Sequence, residues 1–200
     1  TGANNTAVGA SALTNNTSGQ LNSALGHLSL AANTTGVSNT AIGEQALEAN
    51  TIGGSNTACG RAALHANTTA FNNTAVGYFA LLSNTTGTGS VAVGANALDS
   101  NTIGNNNTAV GLNVLGANTT GFRNTGIGQS ALANNTTADN NVAIGAQALL
   151  NNTTGEDNTA LGNFSLTSNT TASNNTAFGY AALTANTTGD LNVAIGSNAL

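Results

Sequence analysis

The chain has 200 residues and a formal net charge of -5, with 4 % charged residues, 4 % aromatics, one Cys and no Pro, Met or Trp. Two basic residues cannot neutralise a phosphate track, which excludes a nucleic-acid surface built on Lys and Arg. One Cys excludes an internal disulfide framework, and no apolar run reaches the roughly 18 residues of a membrane helix.

The first organised stretch is Asn5-Thr6-Ala7-Val8-Gly9, followed by Ala12-Leu13 and Asn16-Thr17. It returns as Asn39-Thr40-Ala41-Ile42-Gly43 with Ala46-Leu47, and continues to Asn192-Val193-Ala194-Ile195-Gly196 with Ala199-Leu200. The glycine recurs every 17 residues from Gly9 to Gly196 without insertion or deletion. Such a period marks a repeat architecture, in which one unit cannot bury its apolar side alone and neighbours must stack. Residues 1–200 read as one continuous array. The chain starts and stops within the repeat pattern, so it is expected to be part of a longer chain, with targeting or membrane-anchoring parts outside it.

The columns of the repeat divide the labour. Leu stands four residues after every glycine, Ala two before it except at Gly126, and an apolar residue one before it. Asn-Thr stands seven and eight after it, and Gly or Ala ten after it. Charged and aromatic residues collect one, two, five, eleven and twelve after it, among them Phe71, Tyr78, Phe79, Phe122, Phe164 and Tyr180. These six are the candidate exposed contact residues. Cys59 takes the place of the Val, Ile or Leu that precedes the glycine elsewhere, and reads as a small buried hydrophobe.

Gly, Asn and Thr-Thr pairs are poor helix formers. Thr-Ala-Val and Ala-Leu suit short strands, and Asn-Thr-Thr-Gly suits a corner. The expected fold is all-β, a parallel β-solenoid or β-roll of about twelve 17-residue coils, each pairing with the coil above and below. Ala7 and Val8 face opposite ways in a strand, and both columns are apolar. A strand apolar on both faces is normally buried on both, so one face should pack against a sister chain.

The stretches Ser90-Val91-Ala92-Val93-Gly94, Asn141-Val142-Ala143-Ile144-Gly145 and Asn192-Val193-Ala194-Ile195-Gly196 resemble the repeat of YadA-like heads in trimeric autotransporter adhesins. The longer unit looks like repeats of bacterial surface proteins and phage tail fibres. The resemblance covers the whole chain, although the family's head repeats are shorter. It implies a left-handed, homotrimeric β-roll at the cell surface or in a virion fibre, with adhesive or shaft function and a host-surface or glycan receptor as partner.

Chemistry is scarce. His27 and His65 lie in variable columns of different coils without a repeated acid or nucleophile beside them, so no active site is expected. Acidic residues are sporadic, so no metal is expected, and no cofactor either. Asn33, Asn67, Asn84, Asn118, Asn135, Asn152, Asn169 and Asn186 open Asn-x-Thr triplets that N-linked glycan could use. The competing reading makes the same asparagines a structural amide ladder. It is favoured because Asn50 and Asn101 keep Asn-Thr but lose the acceptor to Ile52 and Ile103. The expected function is an extracellular structural or adhesive fibre. The alternatives are an ice-binding solenoid with Thr ladders and an amyloid-like or glycan-coated matrix fibril.

Overall fold

The computed structural model describes residues 2–200. Twelve three-residue strands, from β1 (Thr6–Val8) to β12 (Val193–Ile195), form one parallel sheet in strict sequence order. Each strand pairs residue for residue with the strand 17 positions on, as in Thr6↔Ser23, Ala7↔Ala24 and Val8↔Leu25. The result is a β-solenoid with no helix among the described residues. At about 4.8 Å between paired strands, the twelve stack over roughly 53 Å.

Only one strand per coil forms. The Ala-Leu pair, expected as a second strand, lies in the turn after the glycine. The reason is backbone conformation: every Leu of that column has φ between 50° and 59°. The left-handed region is incompatible with a strand and is worst for β-branched side chains. A buried apolar residue is required here, and Leu supplies it without a Cβ branch.

The same constraint governs two columns that read as freely variable. Two after the glycine, φ lies between 52° and 62°, from Ser11 to Asn198. Twelve after it, the non-glycine values lie between 56° and 62°. Ser, Asn, Gln, Leu, Ala, Phe, Arg, Asp and Gly fill these columns, and Val, Ile and Thr never do.

The turn glycine is obligatory. Its φ runs from 115° to 141°, and a Cβ on Gly43 would stand 2.5 Å from the carbonyl oxygen of Gly60 in the next coil. Glycine lets the two backbones approach and turn together.

The core is a thin column of Ala and Leu. Ala41, Ala46 and Leu47 are fully buried, and their equivalents repeat through the interior coils. Ser29 and Ser165 take the place of the turn Ala in two coils, fully buried with their hydroxyls donated to Gly26 O and Gly162 O, and one pair of coils departs further. Val114 replaces Ala in the turn, and Gly126 replaces Ala in the strand β8 (Thr125–Ile127) of the following coil. A Cβ on Gly126 would meet Val114 Cγ1 at 2.5 Å. The methyl group lost at Gly126 makes room for one of the two that Val114 adds.

Candidate interaction surfaces

Two columns of asparagine fix the coils to one another from inside. In the Asn-Thr corner, Asn33 Nδ2 donates to Asn16 Oδ1, Asn50 Nδ2 to Asn33 Oδ1, and so on to Asn186 and Asn169, at 2.8–3.2 Å. The second column stands just before each strand. Asn22 N donates to Asn5 Oδ1 at 2.9 Å, and Asn22 Nδ2 donates to Gly36 O at 2.8 Å. Asn33 Nδ2 reaches the same carbonyl at 3.1 Å. The columns therefore converge on one acceptor per coil, which satisfies amides that would otherwise be buried without partners.

This geometry bears on the triplets that could accept a glycan. Asn33, Asn67, Asn84, Asn118, Asn135, Asn152 and Asn169 are fully buried. Each spends its side-chain amide on the ladder and on the nearby corner carbonyl. The folded coil leaves no room for a sugar on these nitrogens. Asn186 is partly buried and makes the same two bonds.

The two threonines of the corner differ. The first donates its hydroxyl to the carbonyl of its equivalent in the next coil, as Thr102 Oγ1 does to Thr119 O at 3.0 Å. The second faces outward and gives way to Ile52 and Ile103, which are about half exposed. The hydroxyl is needed in the first column, and a branched outline suffices in the second.

On the sheet, Ala points inward and is fully buried from Ala41 to Ala177, apart from Gly126 in its column. The residue before the turn glycine points outward. Val8, Leu25, Ile42, Val76, Val93, Val110, Ile127, Ile144, Phe178 and Ile195 are at least 36 % exposed. Cys59 belongs to this outward column and is partly buried, which corrects its reading as a core residue. The first strand residue, Thr at eight coils and Ser or Val at the others, shares this face. The outward face is a strip with no charged residue along twelve strands. Such a regular apolar array exceeds the scattered apolar exposure of an ordinary surface.

The candidate contact residues divide between two edges. Tyr78, Phe79, Phe164 and Tyr180 lie one or two residues after the turn glycine, beside the strip. The Tyr78 and Phe79 rings stack at 3.9 Å, and Phe164 meets Tyr180 edge-on at 5.8 Å. Arg61 Nε donates to Glu44 Oε2 at 3.2 Å, with its guanidinium 5.5 Å from the Phe79 ring centre. Phe71 and Phe122 lie on the other edge, eleven after the glycine; Phe71 flanks Gly54, and Arg123 covers Phe122 at 4.6 Å. His27 and His65 stand in different columns, and His65 Nε2 lies 3.2 Å from Glu48 Oε2. Burial pushes the Asp99 carboxyl above its usual range, against the opposing pull of backbone hydrogen bonds at Asp99 and Ser100. The described residues contain no cavity and no cluster of three metal-ligating side chains.

No family model, curated protein or solved structure matches the chain.

Proposed function

We propose that this chain forms a rigid extracellular rod, assembled side by side with further copies of itself, and serves as the shaft or adhesive head of a fibre at a cell or virion surface. The observation that supports this most directly is the outward strip. Alternate residues of the twelve strands present Thr, Ser or an apolar side chain, with no charge to oppose close approach. Natural sheets that stay apart place charges or prolines on exposed faces and edges, and this chain places neither there. Three copies are the number that the resemblance to YadA-like heads implies. Stiffness follows from the buried amide ladders and the in-register backbone ladder, which no insertion interrupts.

Mass in solution tests the assembly. The expected result is a discrete oligomer, dissociated when Val93 and Val110 are both changed to Asp. Cys59 gives an internal probe, because a short thiol cross-linker should join chains in the assembled protein and fail in the dissociated variant. A folded, stable monomer overturns the reading.

A second reading uses the same strip. The Thr column and the aliphatic column form a regular array of hydroxyl and methyl groups, the arrangement that could order water as ice does. A monomer with thermal hysteresis in a droplet assay would assign the strip to ice instead of a sister chain.

A further inference from the structure

All seven aromatic residues lie outside the core, which is built of Ala, Leu and one Val. Four of them, Tyr78, Phe79, Phe164 and Tyr180, stand on the edge formed by the two residues after each turn glycine. Tyr78 and Tyr180 are 47 % and 53 % exposed, so their rings are available to a ligand. The φ of 52–62° in the second of these columns gives its side chains the same backbone setting in every coil. Charges on this edge are confined to Glu44 and Arg61. From Tyr78 onward the edge carries none, and side-chain amides such as Gln129 and Gln147 stand between the two aromatic groups.

Tyr78 and Tyr180 are six coils apart, a distance of about 29 Å at the spacing of paired strands. An extended ligand is required to touch both. It must offer apolar faces to the rings and hydroxyls to the amides, and it need carry no charge: the one cation beside the rings, Arg61, which donates to Tyr78 Oη at 3.4 Å, is already paired with Glu44 at 3.2 Å. Sugar rings have this chemistry: axial C–H groups on a face and hydroxyls around the rim.

We propose that this edge binds a neutral polysaccharide lying along the rod, stacked on Tyr78 and Phe79 at one end and on Phe164 and Tyr180 at the other. The inference rests on the proposed role as an adhesive rod, and it supplies the class of partner. Electrophoresis of the full chain through gels containing mixed-linkage glucan, galactomannan, dextran or alginate tests it. Retardation by at least one of the three neutral polymers is expected. Tyr180→Ala with Tyr78→Ala should weaken it at least tenfold, and Phe71→Ala on the opposite edge should leave it unchanged. Circular dichroism and mass in solution on the same samples separate this result from folding and assembly. A monomer that still binds removes the assembly and keeps the edge. A folded rod that is retarded by none of the three neutral polymers, or equally well after the double substitution, overturns the proposal.

Discussion

Gly126→Ala is a one-methyl change with a calculable consequence. Elsewhere this strand position holds Ala without difficulty, so repeat statistics alone favour the substitution. The structure predicts the reverse. The new Cβ would lie 2.5 Å from Val114 Cγ1 and 3.4 Å from Ala131 O. Carbon atoms prefer about 3.5–4.0 Å, so the pair must separate by about 1 Å. Neither side can retreat easily, because Val114 is fully buried and the strand is held by Thr125 N–Asn141 O at 2.8 Å and Gly128 N–Val110 O at 2.9 Å. Overpacking of this kind costs about 1–3 kcal/mol. Val114→Ala alone removes two methyl groups beside a glycine and leaves a gap, at about 1–3 kcal/mol. Together the substitutions rebuild the Ala-Ala pair of ordinary coils, and stability should return to within about 0.5 kcal/mol of the parent, against a sum of about 2–6 for independent sites. Guanidinium unfolding followed by far-UV circular dichroism reads the four proteins side by side. If Gly126→Ala is neutral, or if the double variant loses the sum of its parts, the packing argument fails.

Other substitutions probe the remaining constraints. Gly43→Ala, which brings a Cβ to 2.5 Å from Gly60 O at a φ of 130°, should cost more than about 3 kcal/mol and show as a large drop in unfolding midpoint. Ser90 is the one non-Asn in the column before the strands; Ser90→Asn restores a side-chain donor to Gly104 O, and thermal unfolding should show a gain of about 1 kcal/mol. Gln45 sits at φ 60°, so Gln45→Val should lose about 1–2 kcal/mol while Gln45→Asn loses none, again by midpoint. For Asp99, whose carboxyl burial pushes upward, the folded state holds its proton to higher pH than the unfolded state does. Stability should therefore fall as pH rises from the ordinary carboxylate range through the raised value, and Asp99→Asn should abolish that fall.

Much of the fold was legible because a fixed period leaves little freedom. Equal spacing of Gly9 through Gly196 requires stacked coils, and strand alternation places Ala inside and Val outside. The left-handed columns were less visible. Their signal is an exclusion: Val, Ile and Thr crowd the strands yet never occupy the positions of Ser11, Leu13 or Asn4. Leu-only and variable columns thus share one cause. The Ala-Leu pair resembled a strand because composition reports apolarity, whereas backbone sign decides the element. The Asn column before the strand gave no sign of a second ladder, because its amide meets that of the corner column only across the coil, at Gly36 O. Gly126 stood out as an exception, but its partner is found twelve residues earlier, across a coil boundary that periodic reading treats as equivalent. The outward strip was legible as apolar from the same strand alternation.

The amide ladders also have a direction. Between the asparagines of each column the later coil donates and the earlier coil accepts: Asn33 to Asn16, and Asn22 to Asn5. Asn22 Nδ2 and the corner threonines donate the other way, to Gly36 O and, at Thr102, to Thr119 O, so each coil presents unlike groups to its two neighbours and the two ends of the rod are chemically unlike. A chain that emerges N-terminus first, from a ribosome or through a secretion pore, offers each arriving coil a set of acceptors already in place. Folding can then advance one coil at a time as the chain is delivered, with the finished coils as the template for the next.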